Sequence, residues 1–298
     1  MSDFFNRVKL ASEYIQTPYA VFHSDDEFFL KASLCRAISL LDMDDELVAC
    51  NGQVIGFCRS ELQGNIDYVH GIYAFLGYAI LEDNARDRLS HALATYNAAT
   101  CYAVLRREVW ISSWVNQAWS SPYAAEIYQA ITTYLYGKLK IIDEIYALRS
   151  SENAPVSIPH EFDRKFSFKE WWFSPCFVTE REDFISQLAE TAMKCSSLDD
   201  AEARKIVEDS VASYLACVEE RKKRSLLRSI RSTTLTAIKI ILHRIMPPNT
   251  LHALKRYLKK TTGENSQTVL IKNMREIQDI EKLILEFYAV QAQNKVMQ

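Results

Sequence analysis

Asp25, Asp26 and Glu27 are three consecutive carboxylates, and they are the residues of this chain best suited to chemistry. Clustered acids suit a hard divalent cation, Mg2+ or Mn2+, which in turn grips phosphate oxygens. They are flanked by apolar residues, Tyr19-Ala20-Val21-Phe22 before and Phe28-Phe29-Leu30 after. A plain structural role also fits, because acids near a helix N-terminus are favoured by the dipole and the free N–H groups. Glu126 is a second candidate, a carboxylate that could take a proton from a substrate hydroxyl or simply serve as an acid in the first turn of a helix. His23 abuts the acidic turn and could orient a carboxylate. The six histidines show no metal-ligand spacing. No GxxxxGK[ST] loop, GxGxxG turn, HExxH helix or nucleophile elbow is present, and seven glycines leave little for a nucleotide-cradling loop.

The elements that must position these groups follow from periodicity. Residues 19–22 read as a buried strand by length and by aromatic and β-branched content, and Phe28 through Ile38 to Leu41 has the spacing of a helix packed on it. The acids then sit at the strand's carboxyl end, where open α/β sheets bind ligands. Residues 47–57 read as a strand pair, or as one strand bent at Gly52 and Gly56. A helix over 85–96 carries Leu89 and Leu93 on one side, 100–105 alternates like a strand, and 107–119 is helical. Pro122 opens a helix to Tyr136, as proline at a first helical position does. Its apolar face is Ala124, Ile127, Tyr128, Ile131 and Leu135, with Glu126 off that stripe.

After Arg149 the composition changes. The polar, proline-bearing stretch 150–159 marks a boundary between an α/β unit, residues 1–150, and a helical carboxyl-terminal extension, residues 151–298. Residues 166–175 crowd aromatics that should dock on the first unit, and 183–193 and 201–220 read as amphipathic helices.

Bulk properties bound the function. The 298 residues, 48% hydrophobic and 11% aromatic, suffice for a sizeable core and two domains. A net charge of -3 makes nucleic acid an unfavoured partner. Seven cysteines, an odd number without a CxxC pair, suit a reducing compartment. The first residues lack the apolar core of a signal peptide, and the apolar stretch 72–81 is too short to span a bilayer, so the expected location is the cytoplasm.

Several segments in order resemble a family 2 type glycosyltransferase of the GT-A fold. They are Thr17-Pro18-Tyr19-Ala20-Val21-Phe22, Asp25-Asp26-Glu27-Phe28-Phe29-Leu30, Leu47-Val48-Ala49-Cys50-Asn51-Gly52, Tyr102-Ala103-Val104-Leu105-Arg106-Arg107, then Glu126, Gly137-Lys138-Leu139-Lys140-Ile141-Ile142 and Leu148-Arg149. The resemblance covers residues 5–150 and implies an incomplete GT-A, Rossmann-like sheet, because only residues 4–16 precede the acidic strand where nucleotide-binding units would stand. It implies a metal-assisted, inverting transfer from a nucleotide-sugar donor to a saccharide or lipid-linked acceptor in surface polysaccharide synthesis. Asp26, with Asp25 and Glu27, would hold Mg2+ or Mn2+. Asp25, Asp26 and Arg149 would bind the nucleotide-sugar, and Glu126 would be the general base. The alternative is a non-catalytic, truncated homologue that binds a protein or a membrane. A partner chain completing the site is the companion expectation.

Charge is distributed unevenly. Residues 221–260 contain 12 of the 35 basic residues and none of the 38 acidic ones, interleaved with Leu226, Leu227, Ile230, Leu235, Ile238, Ile241, Leu242 and Ile245 and broken at Pro247-Pro248. Such a helix suits an anionic membrane surface, which would place the protein peripherally at the inner face, or alternatively answers the acidic first unit as a solvated helix.

Overall fold

Two thirteen-residue strands, β3 (Leu47–Arg59) and β6 (Lys138–Ser150), run parallel and form the spine of the molecule. The computed structural model describes residues 2–24, 27–59, 66–73, 78–114, 119–151, 167–245 and 274–296. Around the spine stand four shorter strands: β1 (Tyr19–Ala20), β2 (Glu27–Phe29), β4 (Ile66–Tyr73) and β5 (Val104–Arg106). The order is β1-β5-β3-β6-β2, with β4 paired to β3. The pairings β2–β6, β3–β4, β3–β5 and β1–β5 are antiparallel, so the sheet is mixed and the chain belongs to the α/β class.

β3 bends where expected. Its register with β6 shifts on both sides of Gln53, and its register with β4 shifts between Val54 and Gly56. A Cβ on Gly52 would stand 2.5 Å from Tyr146 Cβ and 3.0 Å from the Glu144 carbonyl oxygen. Neither can retreat, so the close passage of β3 over β6 requires glycine.

The acidic turn is framed differently from the sequence expectation. The strand over 19–22 contracts to the half-buried edge strand β1, where Tyr19 hydroxyl donates to Asp42 at 2.5 Å and the Arg106 guanidinium lies 5.9 Å from the Tyr19 ring centre. The helix expected from Phe28 begins at Lys31 instead, as α2 (Lys31–Met43), and Glu27 to Phe29 form β2. Successive strand residues point to opposite faces. Phe28 accordingly meets Phe57 at 5.9 Å between ring centres, while Phe29 meets Tyr146 at 5.0 Å, each on its own side of the sheet. The turn thus joins two strands on opposite edges of the sheet path.

Helices cover the sheet. Besides α1 (Ser2–Ser12), they are α3 (Ala85–Ala94), with Leu89 and Leu93 buried as expected, α4 (Arg107–Trp114) and α5 (Pro122–Tyr136). The strand expected over 100–105 is shortened to β5 by a 3-10 turn, Ala98–Thr100. The helix expected to Trp119 ends earlier, at Trp114, with 115–118 outside the described residues. α5 has the expected bounds, with Ser121 as its N-cap and Pro122 in its first turn. It is buried on most sides, and its inner polar residue Gln129 accepts the Thr100 hydroxyl at 2.6 Å, which satisfies both buried groups. Arg88 of α3, itself buried, donates to the carbonyls of Tyr134 at 2.8 Å and Leu135 at 3.2 Å and so ties α3 to the end of α5.

The carboxyl-terminal helices are α6 (Phe168–Phe173), α7 (Val178–Cys195), α8 (Asp200–Ile245) and α9 (Met274–Val296). The aromatic cluster docks as expected: Phe168 and Trp171 are buried, and Trp171 lies 6.3 Å from Trp119 and 5.6 Å from Phe184 between ring centres. Ile127 and Tyr128 of α5, Leu188 of α7 and Val211 of α8 belong to one core, so α6 to α8 extend the core of the α/β part. Most of the connector, residues 152–159, lies outside the described residues, as do residues 160–166. α9 closes a second core, where Ile277, Ile280 and Ile284 meet Leu30, Phe57, Ile145 and Leu148. Its Glu276 accepts the backbone N–H groups of Lys31 and Ala32, capping α2, whose own N-cap residue Leu30 supplies no side-chain bond. Among the described residues no helix is long and apolar enough to cross a membrane.

Candidate functional site

The two ends of the acidic turn are held together by Glu27. Its carboxylate is 4% exposed as a residue, accepts the Ser24 backbone N–H at 3.4 Å, and lies 3.6 Å from Arg149 Nε. Strand pairing produces this contact, because Glu27 stands directly opposite Arg149 in the β2–β6 register. Asp25 and Asp26, the first two of the three candidate metal ligands, lie outside the described residues.

A chain of ring contacts extends from this clamp. The Arg149 guanidinium is 5.7 Å from the Tyr102 ring centre, within cation–π reach. Tyr102 meets Phe22 at 6.4 Å, and Phe22 stacks on Trp114 at 5.5 Å. The Tyr146 hydroxyl donates to the Tyr102 carbonyl at 3.1 Å and fixes that segment from the β6 side. His23 is exposed and packs against Phe29 at 5.1 Å. Glu27, Arg149, Tyr102, Phe22 and Trp114 thus form a continuous wall beside the acidic turn.

Glu126 lies apart from that wall, one turn further into α5 than expected, since Ser121 is the N-cap and Pro122 the first helical residue. It is half-buried, and the buried Tyr96 hydroxyl donates to its Oε1 at 2.5 Å, within the range of charge-assisted bonds. Burial pushes the Glu126 carboxyl above the usual range, and the Tyr96 bond pulls it part of the way back. Tyr96 is held in turn by Tyr214 of α8, edge-on at 4.9 Å, and its carbonyl accepts the Arg221 guanidinium. Segment 100–102 separates the two regions: Tyr102 faces Phe22 and Arg149, whereas Cys101 faces Gln129, and its thiol is pushed up by burial and then by the Glu126 charge.

Sequence reasoning missed Tyr96, Tyr102, Phe22 and Trp114. Trp114 is 8% exposed, and its indole N–H has no partner among the described residues, as is also true of Trp110 and Trp119. The tryptophans on 107–119 were a usable signal, because an indole N–H seeks an acceptor when buried. No local pattern announces the Glu27–Arg149 pair, whose members are far apart in sequence. Among the described residues no group of three His, Cys, Asp or Glu side chains could hold a metal ion. Glu27, the third of the expected metal ligands, is engaged with Arg149 and the Ser24 N–H.

No family model matches the chain, and no curated protein matches it.

Proposed function

We propose that this protein is a glycosyltransferase of the GT-A type that moves a sugar from a nucleotide-sugar to a hydroxyl of a saccharide or lipid-linked acceptor. The observation that carries the reading is the clamp beside the acidic turn, in which Glu27 accepts the Ser24 N–H and pairs with Arg149. Asp25 and Asp26 would hold a cation, Mg2+ or Mn2+, which when bound would neutralise charge on the diphosphate leaving group. Arg149 adds positive charge beside it. Glu126 stands across segment 100–102 from this clamp, and the resemblance alone assigns it the proton of the acceptor hydroxyl, a role its raised affinity for a proton would suit while Tyr96 keeps the group oriented. The acceptor oxygen forms its bond to the sugar as the bond to the diphosphate breaks, in one displacement with inversion.

Isothermal titration with a nucleoside diphosphate, with and without Mn2+, tests the site. Binding that requires the metal and disappears in Asp26→Ala supports the reading. Binding indifferent to both removes it. A non-catalytic homologue that binds a protein or a membrane is favoured by one observation, the closure of Tyr214 and Arg221 of α8 over Tyr96. Metal-dependent nucleotide binding without turnover of any nucleotide-sugar selects that reading.

A further inference from the structure

The start of α8 is built into the core, and the part that follows is only laid on it. Ala203, Ile206, Val207, Ser210 and Val211 are buried, whereas every residue of 212–224 is half-buried or exposed. Leu215 and Cys217 pack on the core, and the Tyr214 ring stands edge-on to Tyr96 at 4.9 Å and to Phe168 at 5.2 Å. Glu219 accepts Lys169 at 2.8 Å, and the Arg221 guanidinium donates to the carbonyls of Tyr96 and, at 3.2 Å, Thr95. Tyr96 is thus gripped by α8 on one side while its hydroxyl donates to Glu126 at 2.5 Å on the other. The groups that face Glu126 are the Tyr96 phenol beyond α3, the Cys101 thiol of segment 100–102 and the Tyr214 phenol of α8, each pushed up by burial and then by the Glu126 charge, so all three are neutral near pH 7. Among the described residues no Lys, Arg or His forms an ion pair with Glu126, and Arg221 gives its bonds to the two carbonyls. A carboxylate covered among neutral groups is unfavourable, and lifting the cover admits water to it. Closure of this segment and a proton on Glu126 therefore favour each other.

We propose that residues 212–224 of α8 are a proton-operated latch, seated on Tyr96 while Glu126 keeps its proton and released when Glu126 gives that proton to solvent. That release also uncovers a working base rests on the proposed function; the coupling itself does not. Its sign follows from the burial of Glu126, which raises the carboxyl under the cover above its ordinary 4.5. Closure is favoured in full below about 4.5 and weakens as pH climbs from there through the raised value. Glu219 and Glu170, on the far side of the segment, are held below the usual range by Lys169 and by Ser167 respectively, so both stay charged in that window. The His91–Glu82 pair lies beside Thr95, whose hydroxyl and N–H bond the His91 carbonyl, and a variant at Glu126 separates its effect from that of the latch.

Alkylation of the full chain with N-ethylmaleimide from about pH 5 to about pH 7.5, resolved residue by residue with mass spectrometry, tests the latch. The half-buried Cys217 reports release of the segment, the exposed Cys176 calibrates the reagent at each pH, and the buried Cys50 reports opening of the whole fold. In wild type the ratio of the Cys217 rate to the Cys176 rate should rise with pH, by up to about tenfold per pH unit, the most that one proton allows. Glu126→Gln keeps a neutral group at every pH and should hold the ratio flat. Tyr96→Phe keeps the ring under Tyr214 and removes the bond that favours the carboxylate, so its rise should move to higher pH. A flat ratio in wild type, the same rise in Glu126→Gln, or Cys50 climbing in step with Cys217 would overturn the latch. So would a rise in Tyr96→Phe at unchanged or lower pH, which tests the coupling even if Glu126→Gln does not fold.

Discussion

Arg149→Met should destabilise the protein by about 3 kcal/mol at pH 7, with a loss that shrinks in acid. The Glu27 side chain is 3% exposed and that of Arg149 17%, and their charged groups are 3.6 Å apart. At that distance an effective dielectric of about 20 makes the attraction roughly 4 to 5 kcal/mol. Removal of the cation leaves a buried carboxylate that can escape by taking up a proton. From an ordinary glutamate value near 4.3 this costs about 3.7 kcal/mol at pH 7 and about 1 kcal/mol at pH 5. Protonation therefore caps the damage, and the variant's deficit relative to wild type grows as pH rises above about 4.3, because its unfolded state ionises first. Urea unfolding followed by tryptophan fluorescence at pH 7 and pH 5 measures both quantities. Glu27→Gln placed on top of Arg149→Met should return more than about 1 kcal/mol, since an amide oxygen still accepts the Ser24 N–H and no buried charge remains. A loss below about 1 kcal/mol for Arg149→Met, or an equal loss at the two pH values, would refute the clamp.

Glu126→Gln should lower transfer at least about 100-fold while nucleotide affinity stays unchanged, because a base acts on the acceptor; turnover above about a tenth of wild type would place the base elsewhere. The same variant carries a pH signature. Burial raises the folded carboxyl above its ordinary 4.5, so wild type should lose stability relative to Glu126→Gln as pH climbs from about 4.5 through the raised value, and parallel urea profiles would contradict this. Glu276→Ala should cost about 1 kcal/mol and speed hydrogen exchange at the Lys31 and Ala32 amides; unchanged protection there would mean that α2 is capped by some other group.

Local chemistry made part of this molecule legible from its residues. Ser121-Pro122 before an apolar 3.6-residue period announced α5 to the residue, because capping and proline geometry act within one turn. Gly52 and Gly56 marked the bends of β3 for a similarly local reason. Of the crowded aromatics near Trp171, Phe168 and Trp171 are buried as their size favours, whereas Phe173 stays 64% exposed.

Elsewhere tertiary structure decided. Phe28 and Phe29 fit a helix by spacing, and the core on each face of the sheet drew one ring apiece and made a strand. Glu27 read as the third of three clustered acids, and register set it opposite Arg149. The α2 N-terminus has no cap of its own and receives one from Glu276, 245 residues from Lys31. The sequence by itself determined the helices and bends whose causes lie within a few residues. Register, distant capping and the environment of Glu126 depend on which segments meet in space, and no local pattern of side chains encodes those meetings.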